Sequence, residues 1–143
     1  MIIHSTRFGE IEIRDEHIIK FPSGLPGFPD ETAFVLLPYQ PESPFSFLQS
    51  ATDNNLAFLT VDPFAFFKDY VFELDDQTVD ELDLSEDNAP LIINIVAVPE
   101  KIENLTANLL APIVINRQTR TGRQIVLEKT SYTTKEFVFK GGK

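Results

Sequence analysis

Leu91-Ile92-Ile93-Asn94-Ile95-Val96-Ala97-Val98, closed by Pro99, decides the fold. It is the most hydrophobic run of the chain. Its branched side chains suit a pleated sheet, and Pro99 has no amide with which to continue a ladder. The run reads as a central strand. Downstream, Ala107 to Leu110 and Ile113 to Asn116 read as two buried strands flanking Pro112, which implies a bend or bulge between them. Gln124 to Glu128 and Glu136 to Phe139 complete that half. Thr119-Arg120-Thr121-Gly122 reads as a hairpin loop with Gly122 in the left-handed position.

Upstream, Gly9-Glu10-Ile11-Glu12-Ile13-Arg14 alternates polar and apolar residues, as a strand with one wet face does. His17 to Phe21, Ala33 to Leu37, Phe45 to Leu48, Leu56 to Val61 and Tyr70 to Leu74 read as further short strands, most of them bounded by prolines. Helix is expected only in turns. Thr78 stands three residues before Glu81, the capping-box spacing, and Val79 and Leu82 face inward together. Pro63 to Phe67 reads as a second turn with proline first. Short strands at this spacing define a mostly β fold, a small single-domain β-barrel-like or sandwich structure with one or two short helical turns. Residues 1–140 are expected to form one domain, with 141–143 a disordered tail.

The chain has 143 residues, which suits one domain with one core. It has no cysteine, which excludes a disulfide framework, a thiolate zinc site and a cysteine nucleophile, and fits a reducing cytoplasm. No targeting segment or apolar run of membrane-spanning length is visible. Net charge is −10, which disfavours phosphate backbones and anionic lipid. The charge is also segregated. Between Lys68 and Lys101 lie ten carboxylates and no Lys or Arg: Asp69, Glu73, Asp75, Asp76, Asp80, Glu81, Asp83, Glu86, Asp87 and Glu100. From Arg117 onward seven basic residues face only Glu128 and Glu136. Acidity alone serves solubility, but segregation favours a surface for basic partners.

No catalytic set competes with that reading. His4 and His17 are the only histidines and have no partners at useful spacing. The nucleophile elbow, phosphate loop and dinucleotide fingerprint are absent. The acidic run lacks the calcium-loop arrangement. No enzyme activity, metal or cofactor is therefore expected. The thirteen phenylalanines are mainly core, although an exposed one in Phe64 to Phe67 would mark a partner site.

Four segments together resemble one family: Gly24-Leu25-Pro26-Gly27-Phe28, Phe47-Leu48-Gln49-Ser50, Asp62-Pro63-Phe64, and Ala107-Asn108-Leu109-Leu110-Ala111-Pro112-Ile113-Val114-Ile115-Asn116, followed by Gly122-Arg123-Gln124. In this order they resemble the flagellar assembly factor FliW, from Ile2 to about Tyr132. The resemblance implies a cytoplasmic, monomeric β-barrel-like protein without enzymatic activity. It also implies two protein partners, flagellin and the carbon storage regulator CsrA, a translational repressor of flagellin. Secretion of flagellin frees the factor to capture the repressor, and accumulated flagellin reverses this. A dedicated flagellin chaperone without a regulatory partner is the alternative, and a metal-dependent hydrolase using the acidic cluster is a third reading.

Physically, Gly24, Leu25, Pro26, Gly27 and Phe28 form a tight turn in which Gly27 takes positive φ and Leu25 and Phe28 anchor to the core. Leu48, Gln49, Ser50, Asp62, Pro63, Asn108, Ala111, Pro112 and Asn116 are likewise read as structural. The partner site is placed on the acidic segment: Glu73, Asp75, Asp76, Asp80, Glu81 and Asp83 for charge, with Phe72, Leu74, Leu84 and Ile102 as apolar anchors.

Overall fold

A computed structural model describes residues 2–139; the tail expected at 141–143 and the domain limit at 140 lie outside them. β1 (Ile2–Ser5) and β2 (Gly9–Glu12) form an antiparallel hairpin. A 3-10 turn, Asp15–His17, follows, so His17 is in a turn where the sequence reading had a strand; its Nδ1 accepts from the Arg14 amide at 3.2 Å. β3 (Ile19–Lys20), β4 (Ala33–Pro38), β5 (Phe45–Ser50) and β6 (Ala57–Val61) come next. A 3-10 turn at Pro63–Ala65 and the helix α1 (Asp76–Glu81) precede β7 (Leu91–Ala97). β8 (Thr106–Ala107), β9 (Ile113–Asn116), β10 (Thr121–Gln124) and β11 (Glu136–Phe137) finish the chain.

β3, β4, β5, β6, β7, β9 and β10 close into a barrel, because β7 pairs with both β6 and β9 while β10 joins β9 to β3. Closure removes sheet edges. β8 and β11 extend from β7 outside the ring. The interior is filled by Ile19, Phe21, Leu25, Phe34, Leu48, Ile93, Ile113 and Ile115. Gly122 lies in β10 of this wall, and a Cβ there would stand 2.7 Å from the Phe21 ring and 3.0 Å from Ile115. Its function is to leave room for Phe21. The left-handed residue of the β9–β10 hairpin is Arg120, φ 59°, which corrects the expectation for Gly122.

β7 opposes β9 through Ile92↔Val114 and β8 through Val96↔Ala107, so four steps along β7 match seven along its partner. The excess residues bulge out at Pro112, as the sequence implies. Asn94, fully buried in an otherwise apolar strand, serves the released backbone: its Nδ2 donates to the Asn108 carbonyl at 2.8 Å and to Tyr70 Oη at 3.3 Å. Tyr70 Oη in turn donates to the Leu109 carbonyl at 2.7 Å.

Around Tyr70 a second core forms from Val61, Val96, Leu105, Ala107, Leu109 and Val138, with Phe45, Phe66, Phe67 and Phe72 against it. Burial pushes the Tyr70 hydroxyl up to about 12, the Asn94 hydrogen bond opposing and Tyr132 adding to the rise. Its folded pKa exceeds the unfolded value, so its contribution is complete below pH ~10 and is lost as pH rises towards ~12. The wild type should therefore lose stability across that alkaline window, and Tyr70→Phe should flatten that part of the profile. The variant should also be less stable at neutral pH by about 1–3 kcal/mol, because the Leu109 carbonyl loses its donor and Asn94 Nδ2 loses one of its two acceptors. Urea melts across pH check both, and an unchanged alkaline slope in Tyr70→Phe refutes the assignment.

Three further sequence expectations need correction. Tyr70 to Leu74 belongs to no sheet, although its burial alternates along the run. Alternation reports which side chains face inward, and it does so here, but it does not report a pairing partner. Helix α1 starts three residues earlier than expected. Its N-cap is Asp75, which accepts the Thr78 amide at 2.8 Å, while Thr78 is buried inside the first turn. Finally, β10 ends at Gln124 where a strand was expected to begin. Beyond it the β9–β10 register persists, with the Ile125 amide on the Pro112 carbonyl at 3.0 Å and the Leu127 amide on the Leu110 carbonyl at 2.8 Å. The reciprocal bonds are missing because Pro112 has no amide and the Leu110 amide is taken by the Thr133 carbonyl.

Candidate partner-binding surface

The acidic segment runs along one side of the second core and over α1. All ten carboxylates of the run are exposed. Among the described residues only Glu81 has an ion-pair partner within the chain, Arg123 of β10. The basic strand thus pairs with one member of the acidic run, and the other carboxylates form no ion pair among the described residues. Hydrogen bonds from the side chain and amide of Thr78, with Arg123 nearby, hold the Asp75 carboxyl below the usual carboxylate range. Asp75 stays charged at the positive end of α1, where a capping carboxylate is favoured.

The structure separates the expected site residues. Glu73, Asp76, Asp80 and Asp83 are exposed, Asp83 with φ 53° just after the helix. Phe72 and Leu74 are half-buried. Phe72 packs at a tilt against Tyr70 with centroids 5.1 Å apart, so most of this anchor is committed to the second core. Leu84 is half-buried and its amide closes the helix on the Val79 carbonyl. Ile102 is 59 % exposed, on a separate 3-10 turn, Ile102–Asn104, between β7 and β8. Phe64, 47 % exposed, is the outward ring of the Pro63–Ala65 turn, whose cap is Asp62 bonded to the Phe64 amide at 3.0 Å.

Beside the acidic segment lies a groove of about 560 Å³. One wall is Val71 to Asp75 with Thr78, and the other is Ile125 to Thr130. The second wall was not anticipated from sequence. Its only local signal is Val126, a large apolar residue 68 % exposed between inward-facing Ile125 and Leu127. A second apolar area, also unanticipated, surrounds Arg7, which sits 4.4 Å from the Phe47 ring centroid, with Phe8, Tyr39 and Val98 exposed nearby in the fold.

The motif residues use their hydrogen bonds inside the fold. Gln49 Nε2 donates to carbonyls of the 50–56 loop, including Asp53 and Leu56 at 3.2 Å, and its Oε1 accepts from Ser5. Ser50 Oγ accepts the Thr52 and Asp53 amides and donates to Glu31. Asn108 Oδ1 accepts the Ala111 amide at 3.0 Å. Asn116 Nδ2 donates to the carbonyls of Leu82 and Asp83, which fastens the end of α1 to the barrel. In the 24–28 turn, Gly24 and Gly27 have φ of 67° and 85°, and the Phe28 amide donates to the Leu25 carbonyl at 2.7 Å. Leu25 enters the barrel core, whereas Phe28 keeps 39 % exposure and rests edge-on against Phe58. Leu48 and Ile113 are fully buried in the barrel. No group of three or more potential ligands gathers for a metal ion, and no helix is long and apolar enough to cross a membrane, among the described residues.

Fold and surface together define a closed β-barrel module with an acidic flank and an adjoining groove. The family model described as FliW protein matches residues 2–138. A flagellar assembly factor FliW of Desulfitobacterium hafniense (strain DSM 10664 / DCB-2) is 53 % identical over 139 residues, covering 97 % of this chain and 91 % of the relative. That of Bacillus subtilis (strain 168) is 48 % identical over 135 residues, covering 94 % of each. A crystal structure of the flagellar assembly factor FliW superposes with a TM-score of 0.91 at 38 % identity, covering 99 % of both chains. The chain belongs to the FliW family of flagellar assembly factors, which is not a known enzyme family.

Proposed function

We propose that this flagellar assembly factor acts as a partner switch. It binds flagellin in one state and a CsrA-type translational repressor in the other, and so ties flagellin synthesis to its consumption. The observation that carries this reading is the run of exposed carboxylates on and around α1, of which only Glu81 forms an ion pair among the described residues. An RNA-binding repressor presents a basic surface, and opposite fields raise the encounter rate and discriminate against acidic partners. Exposed pairs contribute little each, so apolar contacts supply most of the affinity, with Val71 on the segment and Phe64 just before it the nearest outward candidates.

Competition binding tests the switch. The purified chain is loaded with a CsrA-type repressor and flagellin is titrated in. Displacement of the repressor is the expected result. Capture of flagellin with no measurable repressor binding would instead define a dedicated chaperone. Simultaneous binding of both would replace the switch with a ternary assembly.

A further inference from the structure

The groove beside the acidic flank has the chemistry of a missing β-strand. On one wall, Val71 to Asp75 alternates as an extended chain does, with Phe72 and Leu74 half-buried and Val71, Glu73 and Asp75 exposed, and Asp75 has extended backbone angles. Tyr132 Oη accepts the Val71 amide at 3.0 Å and donates to the Val71 carbonyl at 3.1 Å. It occupies one position of that edge as a neighbouring strand would. In an extended chain the backbone groups of residue 73 point the same way as those of 71. Among the described residues, the amide and carbonyl of Glu73 and the amide of Asp75 have no partner.

On the opposite wall, the Ile125 and Leu127 amides turn to the barrel, onto Pro112 and Leu110. Those of Val126 and Glu128 must therefore turn away from it, and they too have no partner among the described residues. Lys129, φ 58°, ends this edge. Two unpaired backbone edges face one groove, yet no hydrogen bond joins them across it.

We propose that this groove receives an extended segment of a protein partner, about five residues long, that pairs with the backbone of one or both walls and carries Lys or Arg alternating with apolar residues. The length follows from the 71–75 wall and a strand's rise of about 3.3 Å per residue. The charge follows from the rim, where Glu73, Asp75 and Glu128 face a single cation, Lys129. Val71 and Val126, 73 % and 68 % exposed, are the apolar contacts that the alternate side chains of an inserted strand would meet. Strand addition takes affinity from main-chain bonds and specificity from alternate side chains. This deepens the proposed reading of the acidic flank, and it rests on that reading only in taking the occupant to be protein.

The probe is a blocked Lys-Val-Lys-Val-Lys peptide, titrated into the 15N-labelled full chain. Binding should shift the amides of Glu73, Asp75, Val126 and Glu128. Methylating the peptide's amide nitrogens, which removes its donors but keeps its charge, should weaken binding about tenfold. Val126→Pro should do the same from the protein side, and Val126→Thr, which keeps the amide, should not. A peptide with glutamate for lysine should not bind. Equal affinity of the methylated peptide, shifts confined to another surface, or no shift up to about 1 mM peptide would each overturn the proposal. Because this assay contains neither flagellin nor repressor, its failure leaves the competition experiment standing. Failure of that competition likewise leaves the peptide result intact.

Discussion

Changing Glu73, Asp76 and Asp80 together to lysine should weaken binding to a CsrA-type repressor more than tenfold at low salt, and by a smaller factor at high salt. The three side chains are exposed on 73–80 and, among the described residues, make no ion pair within the chain. Each loses an attractive contact of about 0.2–1 kcal/mol and gains a repulsion of similar size, so three reversals together span about 1–6 kcal/mol, most of that range above the ~1.4 kcal/mol that corresponds to tenfold. The salt dependence is the sharper part of the result. Screening shortens the reach of exposed charges to roughly 10 Å at 0.1 M and about 3 Å at 1 M. Electrostatic recognition predicts convergence of variant and wild type as salt rises, and a loss that persists unchanged at high salt would indicate a packing defect. Glu81 is left out of the set because its reversal would also break the contact with Arg123 and destabilise the α1–β10 junction. Equal affinity of the triple variant and the wild type at both salts would show that the acidic run is a solvated face only.

Some features of this chain are encoded locally and others only by its tertiary contacts. β7 was legible because a buried strand announces itself by branched apolar residues and a terminal proline, and the bulge after β8 because Pro112 cannot complete a ladder. The barrel was legible only as one of two options, since closure depends on β7 pairing at once with β6 and β9, which no local pattern encodes. Gly122 was misread for the same reason. A glycine after a turn resembles a left-handed residue, but its cause is the Phe21 ring, brought against it from the far side of the barrel. The helix cap was displaced because Thr78 and Asp75 both satisfy capping chemistry, and burial of Thr78 decides between them. For the candidate site, charge was readable from composition. The Arg123–Glu81 pair, 42 residues apart, and the second wall of the groove were not, because both arise only when the C-terminal third folds back over the acidic segment.

Gly24→Ala should cost about 2–4 kcal/mol of stability, while Gly27→Ala should cost only about 1–2 kcal/mol. Both glycines have positive φ, where an L side chain crowds its own backbone, so both substitutions carry that strain. Their surroundings differ. A Cβ on Gly27 meets nothing within 4 Å. A Cβ on Gly24 would lie 2.5 Å from the Phe28 carbonyl oxygen and 2.6 Å from both Cα and O of Pro29. All three are backbone atoms, and the Phe28 oxygen accepts the Leu25 amide, so the clash cannot be relieved by rotating a side chain. The turn must open instead, and Leu25 would be drawn out of the barrel core, where it is 3 % exposed. Denaturant melts of the two variants give the difference directly. Partner affinity per folded molecule should be unchanged in both, because the turn lines no part of the groove and Gly24 adjoins the flank only beside Glu81, which is already paired with Arg123. Equal costs at the two positions would remove the steric argument and leave only φ strain. A Gly24→Ala chain with wild-type stability and lost binding would move the 24–28 turn from the scaffold to the binding surface.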